Sequence, residues 1–291
     1  MAFLGLGAIG WPMAGRLASR FPLTVWNRTA SRAAAFTAKF PARQAGSPAD
    51  AGANADVVMT CLPTSKEVEA LIDDGLGASL RSGALFLDCT SGDPATSQRL
   101  VEKLGRRGVA FADCPVSGGT NGAEAGTLTV MVGGESDVVE RARPVLSAFG
   151  KLIVHVGPVG AGDTIKAVNQ VLLAANILTL GEALTAMVKA GVNPRRGMEV
   201  LNASSGRSFV SEALVPDRVL TGKWPNTFRL ALLDKDVGIA MDLIRELGLE
   251  APVLERAQAA MAEARKALGE GADYLEAIKL NERKAGVEVR G

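Results

Sequence analysis

The chain has 291 residues, 47% hydrophobic, 4% aromatic and 22% charged, with 33 glycines and a net charge of +1. That length predicts two domains, and near-neutral charge with few aromatic rings argues against a nucleic-acid partner. The single histidine, His155, argues against histidine triads and multi-histidine metal sites, so acid–base chemistry falls to lysine, carboxylate or cysteine. The cysteines Cys61, Cys89 and Cys114 form no CxxC pair, and the chain opens on a strand rather than a signal sequence. Together these predict a reduced, cytoplasmic protein with no metal site.

Ala2-Phe3-Leu4 is a short strand that runs into Gly5-Leu6-Gly7-Ala8-Ile9-Gly10, and a helical stretch (12–19) and a second strand (23–26) follow. A GxGxxG between a strand and a helix is a dinucleotide-binding turn. The first glycine makes the turn, the second lets pyrophosphate approach the backbone, and the third permits close helix–strand packing. At the end of the second strand, where an NAD site carries a carboxylate for the ribose 2′-hydroxyl, this chain has Asn27-Arg28-Thr29. Arg28 can pair with a 2′-phosphate that a carboxylate would repel, so the pattern favours NADP over NAD.

Further strands are expected at 57–61, 85–88, 109–112, 127–132 and 152–156, with helical segments between them, which predicts a mainly parallel, doubly wound α/β sheet. Ligands bind such sheets beyond the carboxyl ends of the strands. There Leu62 and Pro63 can wall a nicotinamide and Ser91 can hydrogen-bond it. Ser117-Gly118-Gly119 bares backbone N–H groups beside a hydroxyl, a nest suited to a substrate carboxylate or, equally, a flexible turn leading into Gly122-Ala123. The cysteines at these ends read as small, inert strand-end residues.

Glycines at 157, 160 and 162 open a long helical pattern in which Lys166, Asn169 and Gln170 share a face with Leu173, Ile177 and Leu180. Asn176, Gly181 and Glu182 interrupt its apolar part and argue against a membrane span. From here only helices are expected, at 165–190, 194–203, 208–221, 229–247, 252–269 and 273–285. The Ser204–Ser208 loop can line a site or cap a helix, and the charged tail from Lys279 reads as mobile unless it caps a partner subunit. The expected division is 1–160 for cofactor binding and 161–291 for an all-helical substrate and oligomerisation domain.

The segments GLGAIGWPMAGRL, DCPVSGGTNGAEAGTLTVMVGG, GAGDTIKAVNQ and LLDKDVGIAMDL, in this order, resemble the β-hydroxyacid dehydrogenase family, which includes 3-hydroxyisobutyrate and 6-phosphogluconate dehydrogenases. The resemblance implies an N-terminal Rossmann domain and an all-α C-terminal domain joined by the long helix, in a homodimer or homotetramer. It implies Lys166 as the catalytic lysine and Ser117, Gly118 and Gly119 as the substrate-carboxylate loop. Lys235 is implied near the nicotinamide, with Leu62, Pro63 and Ser91 on cofactor-contact positions. Asn169 and Gln170 fall where substrate is contacted, and Gln170 stands where many members have a second asparagine, a variant associated with tartronate-semialdehyde-type reductases.

The expected reaction is NADP-dependent hydride transfer, with NAD as the alternative, on a small 3-hydroxy acid, first of all 3-hydroxyisobutyrate to methylmalonate semialdehyde. The alternatives are reduction of tartronate or succinic semialdehyde or of glyoxylate at the same site, and a non-enzymatic NADP-binding scaffold. No membrane partner is expected.

Overall fold

The structure is a computed structural model that describes residues 1–291. It contains two compact units, Met1–Lys166 and Ala167–Gly291, each with its own apolar core. The first unit holds one sheet of nine strands: β1 (Ala2–Leu4), β2 (Leu23–Trp26), β3 (Ala42–Gln44), β4 (Val57–Thr60), β5 (Leu85–Asp88), β6 (Ala110–Asp113), β7 (Val116–Ser117), β8 (Leu128–Gly133) and β9 (Gly150–Gly157).

The parallel block runs β3-β2-β1-β4-β5-β6, so the order reverses beside β1 and leaves a topological switch point at the GxGxxG turn. Both faces are buried, and side-chain alternation divides them. Phe3, Val25, Met59, Leu87 and Ala112 join one core, while Ala2, Leu4, Val58, Phe86 and Phe111 join another. This is the Rossmann-type doubly wound architecture that the sequence predicts.

Beyond β6, β8 pairs antiparallel with both β6 and β7, and β9 then pairs parallel with β8. Asp113 pairs with Gly133, Val116 with Val130 and Ser117 with Thr129 in one unbroken register, and Met131 N–H donates to the Pro115 carbonyl. β6 and β7 are therefore one extended stretch interrupted at Cys114-Pro115, where proline has no N–H to give the ladder. Pattern reading passes over β7, a two-residue continuation, and over β3, a three-residue edge strand (Ala-Arg-Gln) with no apolar alternation.

The second unit is helical, as expected: most of Ala161–Lys189, then Pro194–Asn202, Val210–Val219, Leu230–Glu246, Pro252–Leu268 and Ile278–Ala285, with a single 3₁₀ turn at Tyr274–Ala277. Val210–Val219 is a π-helix: Pro216 cannot donate to the i−4 carbonyl, and Leu220 N–H reaches back to Val215. Ser208 and Ser211 exchange side-chain and backbone hydrogen bonds at its start, so the end of the Ser204–Ser208 loop acts as a cap.

One expectation keeps its conclusion on different grounds, and another is corrected. Ala161–Lys189 is long and apolar enough to cross a membrane by length and composition, despite Asn176, Gly181 and Glu182. Within the second unit, however, its Val171, Ala174, Ile177 and Leu184 build the core. The tail is also docked rather than loose. Val289 is fully buried, its N–H donates to Glu282 Oε1 at 2.7 Å, and the guanidinium of Arg290 pairs with the same carboxylate. An apolar anchor and a satisfied buried charge hold it.

Candidate active site

The dinucleotide turn is built by glycines with different jobs. Gly5 has φ +103°, and a Cβ there would lie 2.3 Å from the Cys61 carbonyl oxygen; at Gly10 it would lie 2.0 Å from that of Gly5. Both are closed to any side chain. Gly7 is the opposite case, because a Cβ there meets nothing within 4 Å, and Ala8 beside it is exposed. The helix Gly10–Ala18 starts after Ile9 with no side-chain cap, and Trp11 N–H closes back on the Gly7 carbonyl at 3.0 Å. Leu6 is buried, and its N–H donates to Asn27 Oδ1 at 2.9 Å. Asn27 Nδ2 in turn donates to the Thr29 carbonyl, so the asparagine braces the turn while Arg28 and Thr29 stand exposed.

Arg32, which the sequence reading passes over, joins this group: its Nε donates to the Leu6 carbonyl and its guanidinium lies 5.2 Å from the Trp11 ring centroid. Its signal was its place one helical turn after Arg28. An open turn, an uncapped helix start and two arginines fit a dinucleotide carrying an extra phosphate.

The strand-end loops of the same unit are laced together. Thr60 and Thr90 donate to Asp88 Oδ1, and the Thr90 hydroxyl accepts the Leu62 N–H at 3.1 Å. Burial pushes the Asp88 carboxyl up to about 6 despite these hydrogen bonds. Leu62 and Ser91 are half-buried and Pro63 is exposed. Burial likewise raises the thiols, Cys61 to about 12 and Cys89 and Cys114 well above their ordinary value, so none is a thiolate nucleophile. His155 Nε2 donates to the carbonyls of Gly134 and Gly157.

Ser117 is half-buried at the end of β7, and Gly118 and Gly119, exposed with φ of +131° and +63°, turn the chain into the helix Gly119–Ala125. Arg16 Nε donates to the Glu124 carbonyl at the far end of that helix, tying it to the helix of the dinucleotide turn. Lys166, at the end of the first unit, is 8% exposed.

In the second unit Gln170 and Asp236 are buried, and Gln170 Nε2 donates to Asp236 Oδ2 at 2.8 Å. A carboxylate only accepts, which fixes the amide: Gln170 Oε1 faces the other way and accepts from Asn169 Nδ2 at 3.1 Å. Lys235 Nζ lies 2.9 Å from Asp236 Oδ1, an ion pair off the line of a hydrogen bond. Asn169, Gln170 and Lys235, predicted from separate motifs, thus meet through Asp236. Asp236, which the sequence assigns no role, is the carboxylate that joins them.

Comparison with known proteins follows the same division. Residues 1–157 match the family described as the NAD binding domain of 6-phosphogluconate dehydrogenase. Residues 160–281 match that described as NAD-binding of NADP-dependent 3-hydroxyisobutyrate dehydrogenase. The chain is 36% identical to 2-(hydroxymethyl)glutarate dehydrogenase of Eubacterium barkeri, over 100% of its own length and 97% of the relative's. It is 38% identical to the NAD-dependent L-serine dehydrogenase of Pseudomonas aeruginosa, over 87% and 88%. The solved Mycobacterium tuberculosis 3-hydroxyisobutyrate dehydrogenase with L-serine superposes with a TM-score of 0.89 at 30% identity, covering 96% of this chain and 97% of that one. The chain belongs to the β-hydroxyacid dehydrogenase family, NAD(P)-dependent oxidoreductases that act on CH–OH groups.

Proposed function

We propose that the protein oxidises the primary alcohol of a 2-substituted 3-hydroxypropionate, first of all 3-hydroxyisobutyrate to methylmalonate semialdehyde, with NADP⁺ preferred over NAD⁺. The substrates named for its relatives, 3-hydroxyisobutyrate, 2-(hydroxymethyl)glutarate and L-serine, share one skeleton, HOCH₂–CHX–COO⁻, and differ only in X. The observation that carries the reading is a buried lysine, Lys166, one helical turn before Asn169 and Gln170.

A bound nicotinamide would accept the hydride of the carbinol carbon on oxidation and return it to the aldehyde carbon on reduction. Ser117, with the bare backbone at Gly118 and Gly119, holds the carboxylate. Lys166 takes the hydroxyl proton during oxidation and returns it during reduction, a role worth about 10² to 10⁴-fold. Asn169 and Gln170 orient the oxygen, and Asp236 fixes the rotamer of Gln170. Arg28 and Arg32 would provide the charge for a 2′-phosphate and Gly5 to Gly10 the backbone for the pyrophosphate, while Leu62, Pro63, Ser91 and Lys235 are the residues assigned to the nicotinamide. Gln170 also favours a second reading, reduction of tartronate-type semialdehydes by the same residues. The active form is a homodimer or homotetramer.

The test is steady-state oxidation of 3-hydroxyisobutyrate, L-serine and 2-(hydroxymethyl)glutarate, and reduction of tartronate semialdehyde, each with both cofactors. Highest kcat/KM for 3-hydroxyisobutyrate with NADP⁺ is expected. Preference for the semialdehyde selects the second reading, and preference for NAD⁺ removes the role given to Arg28. Lys166→Ala should abolish turnover while NADPH still binds.

A further inference from the structure

Several buried polar groups of the first unit lie outside the residues given roles above. Asp113, fully buried at the end of β6, caps the long helix from another element: its Oδ1 accepts the Gly160 N–H at 2.8 Å and its Oδ2 the Asp163 N–H at 2.9 Å. Glycines make room for it, since a Cβ on Gly133 would lie 2.5 Å from Oδ1 and one on Gly162 2.7 Å from Oδ2. Asp163, 2% exposed and one turn before Lys166, reaches out of its own helix. Its Oδ1 accepts the Gly92 N–H at 3.1 Å, and its Oδ2 is hydrogen-bonded to the Ser97 hydroxyl at 2.7 Å. Gly92 directly follows Ser91, and the next residue, Asp93, donates its N–H to Ser65 Oγ at the start of the helix Ser65–Leu71.

We propose, resting on Lys166 as the proton carrier, that Asp163 is a positioning residue: it locks the Ser91 loop to the first turn of the long helix and so fixes where Lys166 stands relative to the strand ends. Any substrate oxidised over these strand ends needs that relation held within a fraction of an ångström.

Two carboxyl groups joined through the same helix start in dry surroundings do not both ionise readily. Burial pushes the Asp113 carboxyl above its ordinary value, opposed by the backbone N–H groups of Gly160, Gly162 and Asp163. Burial and the charges of Asp113 and Asp88 push Asp163 well above the ordinary carboxylate range. An amide is the conservative replacement for Asp163: an asparagine carbonyl accepts from Gly92 while its NH₂ faces the Ser97 hydroxyl, whose oxygen can accept.

The experiment compares wild type, Asp163→Ala, Asp163→Asn, Ser97→Ala and Lys166→Ala in the full-length protein. It measures kcat and KM on the best substrate of the panel, NADPH affinity by fluorescence, and Tm. Asp163→Ala should lose about 10²-fold in kcat while NADPH affinity stays within about threefold, the size expected for a misplaced catalytic group. Asp163→Asn should return to within about threefold of wild type. Wild-type kcat in Asp163→Ala, or an asparagine variant as slow as the alanine one, overturns the positioning role. If Asp163→Ala does not fold, Ser97→Ala decides, because it removes one hydroxyl only; an unchanged kcat there also overturns it. Inactive Lys166→Ala with unaffected Asp163→Ala sinks the positioning role alone. Active Lys166→Ala sinks the assignment of Lys166, and the positioning role with it.

Discussion

Asp88 shows how a single buried side chain sets a pH dependence. Its folded-state pKa is about 6 against an ordinary 3.8, raised by burial. An acid whose pKa is raised on folding stabilises the fold below its unfolded pKa, and that contribution disappears as pH rises through the folded one. Stability from this group should therefore fall between roughly pH 4 and 6 and stay low above, by up to about 3 kcal/mol at 1.36 kcal/mol per unit. The Thr60 hydroxyl and the Thr90 N–H both donate to Oδ1, which asparagine keeps. Urea unfolding at pH 4, 6 and 8 should show Asp88→Asn gaining on wild type only at the two higher values. An equal gain at all three would exclude ionisation as the cause. At the same scale, Arg28→Ala and Arg32→Ala should each lower the NADP⁺ over NAD⁺ preference about tenfold or more, the worth of a charge-assisted hydrogen bond. Parallel kcat/KM ratios with the two cofactors measure it.

The glycine turn separates folding from binding within one element. Gly10→Ala forces a Cβ against the Gly5 carbonyl and should markedly lower Tm, whereas Gly7→Ala should leave stability within about 0.5 kcal/mol, as for an open surface position. The cost at Gly7 should appear instead in NADPH affinity, about tenfold or more, because the new methyl occupies the backbone face that a pyrophosphate approaches. Isothermal titration beside a thermal melt distinguishes the two; full affinity in Gly7→Ala would move the pyrophosphate elsewhere. The β6–β7 stretch makes a similar point about continuity. One register along β8 spans Asp113 to Ser117, so the helix cap and the loop proposed to hold the substrate carboxylate adjoin the same extended segment.

For the molecule as a whole, the docked tail links the chain end to the stability of the second unit. Removing residues 287–291 exposes the core around Val289 and frees Glu282 from Arg290. Burial of one valine is worth about 1.5–3 kcal/mol, so the truncated protein should melt several degrees lower in a scanning calorimeter. An unchanged melt would mean that the tail contributes nothing. Leu172, Val200, Phe209 and Val253 are exposed apolar side chains of the helical segments, in keeping with the proposed homo-oligomer. Light scattering should give a dimeric or tetrameric mass.

The sequence alone determined what local chemistry determines: the strand–GxGxxG–helix unit, the alternation of strands and helices, the helical second half and the spacing of Lys166, Asn169 and Gln170. Each depends on neighbours within a turn or a strand, so it is written in consecutive residues. The family also was legible, because its motifs are contiguous. Only the tertiary structure decided the rest. Arg32 mattered once Trp11 and the Leu6 carbonyl came beside it, and Asp236 once Gln170 and Lys235 converged on its carboxylate. The tail proved docked because Glu282 and a core opening accepted it. Asp113 and Asp163 look like ordinary acids in the sequence. Their roles arise from desolvation and from N–H donors some fifty or more residues away, as Gly160 and Asp163 to Asp113 and Gly92 to Asp163 illustrate. Periodicity carries no information about contacts at that range.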